Sequence, residues 1–152
     1  MADPFANIYY KPSGTIGKPM EKIQAFIDAW TDDEPGMKPV FVSLFQTLQN
    51  KAQADIEFHE RPGISYSLRG LRSDRNKRPL FVMVDVIDDN PGQRWLSVCF
   101  YGEMIQDPDE LGDLIPEGLL GEDGYCFDIS EADNQLVSYV SQRIEEAYSY
   151  SE

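Results

Sequence analysis

Apolar residues recur at helical spacing near both ends of the chain and alternate with polar residues in the middle. Helical spacing runs from Pro19 to Trp30, from Pro39 to Ala52, and from Ser130 to Tyr148. A spacing of three or four positions collects apolar side chains on one face of a helix. The pattern therefore predicts two helices that pack together, then a block of strands, and then a closing helix.

Period-two alternation predicts the strands. It occupies residues 56–61, 64–69, 80–87 and 95–101, and Tyr125 to Ile129 adds a short fifth strand. Short loops between alternating runs are typical of an antiparallel sheet. We predict an α+β fold with two layers, in which helices pack on one face of a mainly antiparallel sheet of four to five strands.

Helix-start signals occur at two places in the second half of the chain. Asp107 is placed to cap a short helix, with Glu110 at the capping-box position and Pro116 near the end. Ser130 and Asp133 form a similar pair before the closing helix. We expect one helix to begin at Asp107 and another at Ser130.

Length and local composition predict one domain over residues 1–152, with an extended N-terminal arm at residues 1–17. No apolar run reaches the roughly 20 residues that a membrane span needs. The N-terminus also lacks the basic and apolar regions of a signal peptide. We therefore expect a cytoplasmic protein that does not bind membranes.

The sequence contains no common metal or cofactor motif. CxxC, HExxH and the glycine-rich phosphate loops are absent, so no metal site, cofactor or catalytic group is predicted. Cys99 and Cys126 both lie among aromatic residues, and the favoured interpretation is two buried free thiols. A disulfide is the alternative if their strands pair, although a reducing cytoplasm argues against it.

The net charge is −14, but the charges are unevenly distributed. Six of the 13 basic residues lie within residues 61–78, whereas residues 95–142 contain eleven acids and no Lys or Arg. The total disfavours general affinity for nucleic acid, because a polyanion repels the chain as a whole. The division separates a basic loop, residues 69–78, from an acidic half that starts at residue 95.

The basic loop offers four candidate contacts to a partner or to phosphate: Arg72, Arg75, Lys77 and Arg78. As a wing it would touch nucleic-acid phosphates, and as a docking loop it would bind an acidic protein. Two simpler interpretations compete with these. The loop is a mobile hairpin that the acidic half of its own domain neutralises, or it meets the acidic half of a second copy in a homodimer.

The polar face of the predicted sheet offers a second group of candidates: His59, Arg69, Asp85 and Tyr101. His59 is the only histidine, and histidine is the residue type that most often carries protons in enzymes near neutral pH. Arg69 is expected beside Asp85, either in a cross-strand ion pair or as a guanidinium held for a carboxylate or phosphate ligand. If the four residues line a cleft they form a ligand site, and otherwise they belong to an ordinary solvated face.

The order of the predicted elements resembles that of the small bacterial proteins of the YjbR and YdhG type, over residues 37–150. Pro62-Gly63-Ile64 enters the sheet, Asp128-Ile129-Ser130 leads into the last helix, and Ala147-Tyr148 ends it. The resemblance implies a CyaY-like fold. It also implies a double-wing DNA-binding role in which the basic loop is a wing. The acidity and the extra N-terminal helix depart from that pattern, and no active-site residues carry over.

Good core patterning without a catalytic constellation favours a non-enzymatic binding or regulatory module. The alternatives are a small-molecule-binding protein or enzyme that uses the polar sheet face, and nucleic-acid binding through the basic loop. We expect the partner to be a protein or a small molecule, with a homodimer as a further alternative.

Overall fold

The computed structural model describes residues 18–151, which form three helices and a six-stranded sheet. The helices are α1 (Lys18–Ala29), α2 (Met37–Gln49) and α3 (Asn134–Ser149). The strands are β1 (Ala54–Arg61), β2 (Ser65–Arg72), β3 (Leu80–Ile87), β4 (Trp95–Tyr101), β5 (Asp113–Leu119) and β6 (Glu122–Ile129). All neighbours pair antiparallel in the order β1-β2-β3-β4-β6-β5. The α+β class is confirmed, with six strands instead of four or five. The predicted arm at residues 1–17 lies outside the described residues.

The three helices cover the aliphatic face of the sheet, as the alternation predicts. Phe26 of α1 packs against Phe41 of α2 and Phe58 of β1, with ring centroids 5.4 and 5.5 Å apart. Val84 and Val98 lie opposite each other at the centre of this face and are fully buried. Burying apolar area of this kind stabilises the fold by about 25 cal/mol per Å².

The helix predicted to begin at Asp107 is wrong. Asp107 accepts hydrogen bonds from the N–H groups of Leu111 (3.1 Å) and Gly112 (2.8 Å), much as a helix cap does. These bonds instead close a loop, and the chain then enters β5. A β-carbon at position 112 would lie 2.8 Å from the Phe127 ring, so glycine lets the loop approach β6 closely. Tertiary packing against β6 thus overrides a local helix signal.

The start of α3 lies three residues later than predicted. Asp133, not Ser130, is the N-cap, and its carboxylate accepts hydrogen bonds from the N–H groups of Gln135 (3.0 Å) and Leu136 (3.2 Å). A carboxylate satisfies these otherwise unpaired donors and also opposes the positive end of the helix dipole. Asp133 directly precedes the helix, and this explains why it takes the role.

The prediction of two free thiols is also wrong. The register of β4 and β6 places Cys99 directly opposite Cys126, with their Cα atoms 4.1 Å apart, and the two form a disulfide. Residues opposite each other on neighbouring strands point to the same side of the sheet. The pairing could be foreseen only from the register, which the sequence does not reveal.

Candidate functional site

The sheet face opposite the helices, the outer face, carries all four predicted ligand-binding residues. The strand registers place one row of polar side chains across its middle: His59, Ser67, Asp85, Ser97 and Asp128. Arg69 lies in the next row, opposite Met83, and Tyr101 lies two rows away from Ser97 along β4. The four candidates therefore share a face but are spread across it.

Asp85 lies at the centre of the outer face and is half-buried. Burial raises its pKa, while a hydrogen bond with Ser67 and the charges of Arg69 and Arg61 act in the opposite direction. The pKa of Asp85 is raised overall, because its neighbours do not fully compensate for the hydration that the carboxylate loses on burial. The Oδ1 atom is buried without a hydrogen-bond partner among the described residues. Arg69 donates from Nε to Ser67 at 3.2 Å, so Arg69 and Asp85 share this serine as a neighbour.

The other two candidates, His59 and Tyr101, contact side chains other than Asp85 and Arg69. His59 is exposed on the edge strand β1, and its Nε2 lies 2.9 Å from the carboxylate of Glu57. Tyr101 is buried, with the guanidinium of Arg78 5.0 Å from its ring centroid. Four of the clefts that the described residues form have volumes of about 320 to 470 Å³, and none of these four is lined by His59, Arg69, Asp85 or Tyr101. The structure does not gather the four into one pocket.

Two arginines of the basic loop bind the end of α3. Arg75 is buried, and its Nη2 donates to the carbonyl oxygens of Ala147 (2.7 Å), Tyr148 (2.8 Å) and Tyr150 (2.6 Å). Arg72 donates to the Tyr148 carbonyl at 2.8 Å. These carbonyls carry the negative end of the helix dipole, so positive side chains stabilise them. The loop is attached to its own domain by these bonds.

Arg78 and Lys77 differ in their surroundings. Arg78 is buried beneath two carboxylates, Glu103 at 3.4 Å and Glu122 at 3.2 Å. Lys77 is exposed. Three of the four predicted contact residues of the loop therefore use their guanidinium groups inside the domain. Arg78 contacts carboxylates of the acidic half, whereas Arg72 and Arg75 bind carbonyl groups at the end of α3.

A group of aromatic rings near the start of β4 surrounds a side chain of the protein itself. The guanidinium of Arg94 lies 5.1 to 5.6 Å from the ring centroids of Phe26, Trp30 and Tyr66. Its Nε donates to the buried carboxylate of Asp88 at 2.7 Å. Such a cage would suit a cationic ligand, but Arg94 fills it.

The most unusual surface of the described chain lies on residues 109–122, which we call the acidic–apolar surface. Large apolar side chains are exposed at only five described positions, and four of them lie here: Leu111 (50% exposed), Leu114 (49%), Ile115 (41%) and Leu120 (64%). Exposed carboxylates surround them: Asp109, Glu110, Asp113, Glu117 and Glu122. The absence of Lys and Arg from residues 95–142 is the sequence signal that marks this region. The exposure of its apolar residues is visible only in the fold.

No described element covers either face of strand β5. Every residue from Asp113 to Gly118 is exposed, and among the described strands β5 pairs only with β6. The register puts Leu114 opposite Tyr125, on the helix side of the sheet, and Ile115 opposite Gly124, on the outer face. Each face of an edge strand normally rests on the core or faces water with polar residues. β5 instead presents apolar groups to both sides.

A cleft opens on the helix side of β5 and β6. It comprises two adjoining cavities of about 470 and 450 Å³, which share Gly102, Leu114 and Tyr125 as lining residues. The first cavity is also lined by Ile105, Asp107, Glu110 and Gly112, and the second by Arg78, Glu103, Glu122 and Asp123. The cleft thus has apolar residues between two groups of carboxylates.

Asp107 provides a fixed negative charge in this cleft. Burial opposes its ionisation, but hydrogen bonds from Tyr139, Gly112 and Leu111 outweigh that effect and lower the pKa of its carboxyl group. The hydroxyl of Tyr139 in α3 donates to one carboxylate oxygen. Asp107 is therefore ionised at neutral pH and is held in place by the loop that it organises.

Residues 18–151 contain no cluster of three or more His, Cys, Asp or Glu side chains arranged to hold a metal ion. In the same part of the chain, no helix combines the length and apolar character that crossing a membrane requires. Comparisons of the chain with known protein families, with curated proteins and with solved structures find no match. The resemblance to the YjbR and YdhG type stays a prediction, and function has to be argued from the surface alone.

Proposed function

We propose that this protein is a non-enzymatic binding module that recognises a basic, partly apolar segment of a partner protein through the acidic–apolar surface. Within residues 18–151, four of the five exposed large apolar side chains lie on ten residues, 111–120, and this concentration is the observation that carries the proposal. Contiguous exposed apolar groups rimmed by charge are typical of interaction sites.

Charge supports a basic partner. No Lys or Arg occurs between residues 95 and 142, and Arg78 is the one basic residue among the described residues that line the cleft. A surface of one sign attracts an oppositely charged partner during encounter and repels others. Those apolar residues of the surface that the partner covers would then supply most of the binding free energy, as buried anchors do in protein interfaces.

A second copy of this chain fits the surface less well than a different protein. In an isologous dimer the same patch meets itself, which would bring its carboxylates together. The basic loop does not offer a ready counterpart, because Arg72 and Arg75 bind the end of α3. We also propose a cytoplasmic location, as the sequence predicts.

A charge-reversal experiment tests the proposal. The triple variant Asp109→Lys, Glu110→Lys, Glu117→Lys changes three exposed side chains of the surface. The control, Glu21→Lys, Asp32→Lys, Asp55→Lys, changes three exposed acids outside it by the same total charge. The probe is an array of random 15-residue peptides, scored by their content of Lys, Arg and large apolar residues.

We expect the wild-type protein and the control variant to retain peptides that are both basic and apolar. Retention by the surface variant should fall about tenfold, because three attractive charge pairs become repulsive. An equal loss in both variants would show that only net charge matters. No preference for basic apolar peptides in the wild-type protein would refute the proposal.

A further inference from the structure

The helix side of β5 is a place where the helical layer is missing. Helices α1, α2 and α3 contact other strands, and α3 reaches β6, where Tyr139 packs against Phe127 with ring centroids 6.0 Å apart. Beyond Phe127 the same face continues with Tyr125 and Leu114, which line the cleft. Leu114 is half-exposed there. The sheet thus extends further than the helices that cover it.

The free edge of β5 is poorly suited to adding another strand. The ladder is regular only from Asp113 to Ile115, and its register shifts between Ile115 and Leu119. Pro116 has no N–H group, and the N–H of Glu117 already donates to Asp123 at 3.0 Å. Proline and bulges are common ways in which edge strands avoid pairing with other chains.

We infer that the cleft on the helix side of β5 and β6 binds an amphipathic, basic α-helix of the partner protein, which completes the helical layer over Leu114 and Tyr125. This inference rests on the proposed function and names the form that the partner segment takes. A helix places apolar anchors at positions i, i+3, i+4 and i+7 on one face and basic residues on its flanks. The anchors would contact Leu114, Tyr125 and Ile105.

The carboxylates on both sides of the cleft match the basic flanks of such a helix. Asp107 and Glu110 lie on one side, and Glu103, Glu122 and Asp123 lie on the other. Arg78 already neutralises part of the second group, through Glu103 and Glu122. No described basic residue lines the cavity beside Asp107 and Glu110, although the charge of Arg143 also acts on Asp107. The most basic flank of the helix would therefore face Asp107 and Glu110.

Substitutions at two adjacent residues distinguish helix binding in the cleft from the other modes of binding. Leu114 and Ile115 have similar exposure, 49% and 41%, but lie on opposite faces of β5. The variants Leu114→Ser and Ile115→Ser are therefore a matched pair. Three fluorescein-labelled 18-residue peptides serve as probes: an amphipathic helix of Lys, Leu and Ala, a strand-forming peptide of alternating Lys and Val, and the helix with Glu in place of Lys. Fluorescence anisotropy gives the dissociation constants.

We expect the Lys-containing helix to bind more tightly than the other two peptides. Leu114→Ser should weaken its binding about tenfold, as loss of an interface anchor does, and Ile115→Ser should change it less than twofold. Methyl NMR of the wild-type protein provides a readout that needs no variant. The Leu114 methyl signals should shift on titration with the helix, and the Ile115 signals should not.

Different results overturn different statements. If the strand peptide binds more tightly, or if Ile115→Ser costs as much as Leu114→Ser, the helix inference fails while recognition of basic segments stands. If neither Lys-containing peptide binds more tightly than the Glu-containing helix, the inference and the proposed function fail together.

Discussion

The guanidinium of Arg75 donates a hydrogen bond to the carbonyl oxygen of Ala147 at 2.7 Å, which joins the basic loop to the end of α3 across 72 residues of sequence. The same nitrogen contacts two further carbonyls, and the side chain is only 8% exposed. Arg75, which belongs to the most basic segment of the chain, thus has a structural role.

Replacing Arg75 should destabilise the fold. Arg75→Met removes three hydrogen bonds to carbonyl groups, although the Tyr148 carbonyl keeps the bond from Arg72. We expect the free energy of unfolding to fall by about 2–4 kcal/mol. Urea denaturation measures this value. Lys77→Met is the control, because Lys77 is exposed in the same loop and its loss should cost less than about 0.5 kcal/mol. Equal effects of the two substitutions would contradict the capping role.

The three helices, strands β1 to β4 and the second half of β6 could be predicted because each has one apolar face that the core covers. β5 could not, because its apolar residues follow the wrong period. Leu111, Leu114 and Ile115 are spaced i, i+3 and i+4, as on a helix, and Asp107 supplies a capping signal. The competing interactions are non-local. Pairing with β6 and close packing of Gly112 on Phe127 determine the outcome.

The surface chemistry was predictable only in part. The division of the chain into a basic loop and an acidic half can be read from the sequence, but the contacts of the individual charges cannot. Arg75 finds its acceptors 72 to 75 residues away, and Arg78 finds Glu122 44 residues away. The apolar residues of the acidic–apolar surface have the composition of core residues. Their exposure follows only from the fold, in which no described helix packs over β5.

Protonation of Asp85 should stabilise the protein. Its pKa is raised in the folded state, chiefly by burial, so at pH values between the unfolded and folded pKa the native state binds more protons than the unfolded state. The free energy of unfolding therefore falls as pH rises through this window, so the ionised carboxylate destabilises the native state at neutral pH. Removing the charge should therefore raise the free energy of unfolding at neutral pH.

The variant Asp85→Asn measures this effect. We expect it to raise the urea midpoint at pH 7 relative to the wild-type protein, and to raise it less at pH 3.5, where Asp85 is protonated in the native state. Asp55→Asn, at an exposed position on β1, is the control for removing a carboxylate from the surface of the sheet. A gain that is the same at both pH values would mean that the carboxylate charge is not its cause.

Reduction of the Cys99–Cys126 disulfide should weaken the fold without abolishing it. The bond joins β4 to β6 across 27 residues, and closing a loop of this size contributes about 2–4 kcal/mol, mainly by restricting the unfolded chain. Denaturation with and without a phosphine reductant measures the difference. The double variant Cys99→Ser, Cys126→Ser should match the reduced protein and should not respond to the reductant. An unchanged midpoint of the wild-type protein on reduction would contradict this account.

Gly112 connects the stability of the fold to the shape of the cleft. A methyl group at this position would lie 2.8 Å from the Phe127 ring, so Gly112→Ala must displace either the ring or the loop that Asp107 holds. We expect a loss of about 1–3 kcal/mol in the free energy of unfolding, as overpacking typically costs. Binding of the Lys-containing helix should also weaken, because the displaced loop lines the cleft.

Gly92→Ala is the matched control, since the atom nearest to a β-carbon at position 92 would lie 4.0 Å away. This substitution should alter neither the free energy of unfolding nor helix binding. If Gly112→Ala lowers stability and leaves helix binding intact, the loop does not shape the binding site.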